Sequence, residues 1–105
     1  MATNASISGV ARFRVSDVVP VPLRGYMLRL RVTDGEPAPA MVRPGRSLRL
    51  VGPDGAQRVV RIQGIGAPSG RARADRLARI GEIDVVVSAA DGEAVRIGWT
   101  AEPAS

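Results

Sequence analysis

Apolar and polar residues alternate along much of this chain, and the alternation predicts short β-strands. In VARFRVSDVV, Val10 to Val19, Phe13 and Val15 take one side while Arg12 and Arg14 take the other. A period of two is that of a half-buried strand. The pattern returns where Leu28, Leu30 and Val32 alternate with Arg29 and Arg31, and again where Leu48 and Leu50 flank Arg49. A fourth strand is predicted over Arg58 to Ile65 and a fifth over Ile83 to Val87. Val95, Ile97 and Trp99 line one face of a sixth.

Turn residues punctuate these strands. Pro20 and Pro22 cannot donate to a central ladder, so they mark a turn or a sheet edge. Gly25 supplies the freedom for a tight turn into the second strand. Asp34-Gly35 ends that strand, and Pro44-Gly45, the GPDG of residues 52 to 55, and Ala90-Asp91-Gly92 mark further turns. Glu36 to Ala40 is a proline-rich loop and residues 66 to 73 are another. Ala74, Leu77 and Ala78 have helical spacing, and Gly81 suits a helix cap. The stretch Ala74 to Ile80 supports one turn at most.

The chain therefore reads as all-β: a small closed barrel of about six strands with at most one short helical turn. Closure removes the sheet edges that strands so rich in Val, Ile and Leu must protect. Residues 1–9 read as a flexible N-terminus, 10–101 as the single barrel domain and 102–105 as a tail.

Composition narrows the chemistry. There is no cysteine and no histidine, which excludes disulfides, thiolate chemistry and the usual general base near neutral pH. All 15 basic residues are arginine, and the net charge is +5. Without lysine or histidine, no serine or threonine has an activating partner for triad or Ser-Lys chemistry. Glu82 and Asp84 share a strand face that could hold a hard cation, although two exposed strand carboxylates are ordinarily just solvated. No apolar run approaches the roughly 20 residues that span a bilayer, and MATNASISGV lacks the form of a signal peptide. The expectation is a cytoplasmic protein without a membrane partner, cofactor or metal.

The order of the elements resembles the second domain of translational GTPases, the β-barrel of elongation factor Tu and its relatives. The resemblance rests on Asp17-Val18-Val19, then Val21-Pro22-Leu23-Arg24-Gly25, Tyr26 to Val32 and Gly35. It continues through Arg43-Pro44-Gly45, Ser47 to Gly52, Val59 to Ile62, Ala78 to Glu82 and Val95 to Gly98. It implies a Greek-key barrel standing alone, with a contact to tRNA at positions matching Asp17, Val19 and Tyr26. Leu30 stands where that family carries a glycine, and Val19 where an aromatic is common. No phosphate-cradling G-x-x-x-x-G-K-[S/T] occurs, so the GTPase activity does not follow.

Candidate contacts follow from charge and exposure. Arg12, Arg14, Arg29, Arg31 and Arg49 line the outer faces of strands, where patterning alone already demands polar residues. GRARADRLAR, Gly70 to Arg79, holds Arg71, Arg73, Arg76 and Arg79 opposed only by Asp75. Arg24 and Tyr26 flank the turn at Gly25. Phe13 and Trp99 are assigned to the core. The expected function is a non-catalytic binding module for RNA or a ribosome-related partner, contacted through Asp17, Arg24, Tyr26 and the four loop arginines. The alternative is a protein–protein or self-associating adaptor that uses the loop Glu36 to Met41 or an exposed strand edge.

Overall fold

The computed structural model describes residues 11–36, 42–66, 77 and 80–104. They form a mostly antiparallel sheet of seven strands: β1 (Arg12–Val21), β2 (Gly25–Asp34), β3 (Ser47–Val51), β4 (Gln57–Arg61), β5 (Gly64–Ile65), β6 (Glu82–Val87) and β7 (Thr100–Pro103). One short helix, α1 (Ala89–Glu93), follows β6. The strand order is β4-β3-β7-β1-β2-β6-β5.

The alternation does what the sequence pattern predicts. Phe13 and Val15 of β1, Leu28 and Leu30 of β2, and Leu48 and Leu50 of β3 are fully buried. They join Val60, Ile62, Ile83, Val85 and Val87 in one core cluster, against which Tyr26 and Trp99 pack partly buried. Cross-strand register explains the shared face: Val15 lies opposite Leu30, and Leu30 opposite Ile83.

Three elements differ from the expectation. The predicted strand Arg58 to Ile65 is two strands, because it changes partner midway. The Ile62 amide donates to the Arg46 carbonyl at 2.9 Å, next to β3, and the Gln63 amide donates to the Val86 carbonyl at 2.8 Å, in β6. The terminal strands of the order, β4 and β5, are thus separated in sequence by two residues. No ladder pairs β4 with β5 among the described residues.

The turn expected at Ala90-Asp91-Gly92 is instead α1. Ser88 caps it, its hydroxyl accepting from the Asp91 amide at 3.1 Å, which satisfies an otherwise orphaned helical donor. The strand expected at Val95 to Trp99 is a turn, with Gly98 at φ 99 and the Trp99 amide bonded to the Arg96 carbonyl at 3.2 Å. Val95 is buried but Ile97 is 64 % exposed, so these residues do not share a face. The last strand comes after them and runs to Pro103, between β1 and β3.

The helical turn read over Ala74 to Ile80 lies outside the described residues except at Leu77 and Ile80. Leu77 is buried, its carbonyl accepts from the Gly81 amide at 3.0 Å, and Gly81 has φ 77. The loop Glu36 to Met41 also lies outside them, apart from Glu36.

Candidate functional site

The outer face of β1, β2 and β6 is organised in rows set by register. Asp17, Arg29 and Asp84 form one row, and Arg14, Arg31 and Glu82 the next. Val19, Met27 and Val86 form an apolar row nearer the β1–β2 turn. On the other side of β1, Arg49 faces Glu102 across β3 and β7, and Arg12 faces Asp34 across β1 and β2.

This register neutralises most of the expected basic face. Arg29 meets Asp84 through two bonds, Nε to Oδ1 at 2.9 Å and Nη2 to Oδ2 at 3.4 Å. Asp84 is 6 % exposed. The hydrogen bond to Asp84, and then its charge, raise the Arg29 guanidinium above its already high ordinary pKa. Arg31 lies 3.7 Å from Glu82, while Arg12 and Arg49 lie 3.7 Å and 3.3 Å from the two oxygens of Glu102. Of the five strand arginines singled out by pattern, only Arg14 has no ion pair among the described residues. Glu82 and Asp84 are thus not the solvated pair expected, nor a cation site. Both are partly or wholly buried and engaged by arginine. No group of three metal-ligating side chains occurs among the described residues.

Asp17 has a structural task. Beyond Val15, no strand among the described residues pairs with the side of β1 away from β2. The Val18 amide donates to Asp17 Oδ1 at 3.0 Å, and Pro20, two residues on, has no amide. Amides two apart in a strand point the same way, so both outward donors of this free edge are removed. This stretch of the β1 edge therefore offers no outward amide donor to another strand, a common device at sheet edges.

Tyr26 is not displayed at an open mouth. Its ring lies against Gly92, where an added Cβ would sit 2.6 Å from Cδ1, and it packs on the core. Arg24 is exposed, and its guanidinium lies over Gly64, 3.0 Å from where a Cβ there would be. Arg71, Arg73, Arg76 and Arg79 lie outside the described residues. Arg24 lies in the turn that ends the β1–β2 hairpin, Asp17 lies further along β1 opposite Arg29, and no cluster joins them among the described residues.

The residue that sequence reading passed over is Leu23. It is fully exposed, at 106 %, and is the one non-glycine residue with positive φ among the described residues, at 65. The Arg24 amide donates to the Val21 carbonyl at 3.0 Å, closing Val21-Pro22-Leu23-Arg24 as a turn. The available signal was Pro22 followed by a residue that is not glycine where a type II turn wants one.

A shallow groove of about 410 Å³ crosses the outer face, lined by Arg12, Asp34, Arg49, Glu102 and the threonines 33 and 100 among others. Its two arginines and two carboxylates balance in charge, and both arginines lie against Glu102. No helix among the described residues is long and apolar enough to cross a membrane. Comparison with protein-family models, with curated proteins and with solved structures gives no match.

Proposed function

We propose that the chain is a non-catalytic binding module, a closed Greek-key barrel of the translation-factor second-domain type. Closure is supported by Ile62 and Gln63, neighbours that bond, respectively, beside β3 and to β6. A continuous segment from Gln57 to Ile65 then fills the gap between β3 and β6. The absence of histidine, cysteine and lysine, with the strand carboxylates engaged by arginine, supports a role without catalysis or cofactor.

The favoured partner is RNA or a ribosome-related assembly. One observation carries this: where the charge is left. The described residues hold eleven arginines against nine carboxylates, and the pairs above neutralise most of the strand face. The nine residues Arg71 to Arg79 carry +3 of the net +5. Guanidinium groups bind phosphates well, and such binding weakens steeply with salt. The chain should shift tRNA or rRNA fragments at low salt, less so as salt rises. Changing Arg71, Arg73, Arg76 and Arg79 to Ala should remove the shift. No retention at low salt overturns the RNA reading.

A protein partner is the second reading, because an acidic surface satisfies the same four arginines. Pull-down with and without nuclease separates the two. A partner that survives nuclease supports the protein reading.

A further inference from the structure

The turn Val21-Pro22-Leu23-Arg24 has a counterpart in the same chain. Arg43-Pro44-Gly45-Arg46 also places proline second and closes with the Arg46 amide on the Arg43 carbonyl at 3.0 Å. Its third residue, at φ 93, is Gly45, which takes that conformation without steric cost. The first turn has Leu23 there instead. A side chain with a Cβ is strained in this region, and Leu23 recovers nothing in packing because it is wholly exposed. Strain and exposed apolar surface at one residue, without return to the fold, point to a contact made outside it.

The surroundings say what kind of contact. From Val18 to Met27 the sequence is VVPVPLRGYM, with Arg24 its only charged residue. Donors at this end are largely removed. The Val18 amide is held by Asp17, Pro20 and Pro22 have none, and the Arg24 amide is held by Val21. Val19 and Val21 lie in the ladder with β2, leaving Leu23 as the remaining amide without a partner among the described residues. A single free donor at the tip of a turn can stay at the level of lipid headgroups and water while the side chain beyond it enters hydrocarbon, whereas a row of free donors would call for a protein socket. The one charge is a guanidinium set back over Gly64, and the whole chain is cationic.

We propose that this hairpin end docks at the surface of an anionic bilayer, with Leu23 entering the acyl boundary and Arg24 meeting lipid phosphates. This is interfacial association, not spanning. It departs from the expectation of no membrane partner and is independent of the RNA reading. Shallow burial of an apolar side chain, with attraction between basic residues and anionic lipid, supplies the affinity.

The absence of cysteine allows a single reporter, Leu23→Cys carrying an environment-sensitive fluorophore. With vesicles of phosphatidylcholine and roughly one-third phosphatidylglycerol, its emission should shift to the blue. Vesicles of phosphatidylcholine alone should shift it less. In co-sedimentation of the otherwise unaltered chain, Leu23→Asp should weaken binding to the anionic vesicles by roughly tenfold or more, while its circular dichroism matches the parent. Three results overturn the proposal: no association of the parent with anionic vesicles, which leaves a protein socket for Leu23; a label that stays in water on bound protein; or Leu23→Asp binding like the parent, which assigns association to charge alone.

Discussion

Tyr26 lies so close to Gly92 that a methyl on Gly92 would stand 2.6 to 2.8 Å from its Cβ, Cγ and Cδ1. This contact joins α1 to the start of β2, and a side chain at position 92 has nowhere to go. Gly92→Ala should cost about 1–3 kcal/mol through overpacking, read as a lower urea midpoint. Tyr26→Gly in the same chain should make the cost of Gly92→Ala smaller than it is in the parent, since it removes all three obstructing carbons.

Gly25 is held more tightly still. It has φ 128, and a Cβ there would run into the Val87 carbonyl oxygen and lie 2.8 Å from the Ala89 amide nitrogen. Gly55, at φ 89, has open space around it. Gly25→Ala should therefore be clearly worse than Gly55→Ala, which carries backbone strain of about 1 kcal/mol only. Equal losses in thermal unfolding would contradict the packing described.

The Arg29–Asp84 pair should be asymmetric. Arg29 is 36 % exposed at its side chain and Asp84 is 6 % exposed, so Arg29 can turn to water when its partner is lost. Arg29→Met leaves a carboxylate in a nearly dry place and should cost more than Asp84→Asn, by about 1 kcal/mol after allowance for screening of the guanidinium. Because folding raises the Arg29 pKa, its contribution is complete below the unfolded value and is lost as pH climbs through the folded one. Stability should therefore show no inflection from Arg29 across the neutral range, measurable as a flat urea midpoint.

Leu23→Gly should stabilise the fold by about 0.5–1 kcal/mol, because relief of left-handed strain exceeds the added freedom of the unfolded chain. A rise in melting temperature checks it. A fall would mean that Leu23 supports the hairpin in a way its exposure does not reveal.

Asp17→Ala frees the Val18 amide, so exchange at Val18 should accelerate relative to Val19. Combining it with Pro20→Val restores a donor row along the β1 edge, and sedimentation should then show association that the parent lacks at equal concentration.

The strands were legible because burial leaves a period of two: Phe13 and Val15, or Leu28 and Leu30, declare their side without knowing their neighbours. What alternation cannot convey is who stands opposite. Arg29 was readable as outward-facing, but its pairing with Asp84 depends on a register between residues 55 apart. The helix α1 was hidden because Asp91-Gly92 is also a turn signal, and the capping pattern of Ser88 with Asp91 was the competing clue. Val95, Ile97 and Trp99 alternate by accident, and Gly98 at positive φ breaks the strand. The closing segment misled through its continuity, since nothing in Arg58 to Ile65 says that it leaves one neighbour for another at Ile62.

β7 is the last of the seven strands in chain order yet lies inside the sheet, with β1, β2, β6 and β5 on one side and β3 and β4 on the other. Until residues 100 to 103 are made, the β1 edge at Phe13 and Arg14 and the β3 edge from Leu48 to Val51 lack the strand that pairs with both. The four-residue strand β7 is thus the keystone of the sheet, laid between β1 and β3 after both have been made.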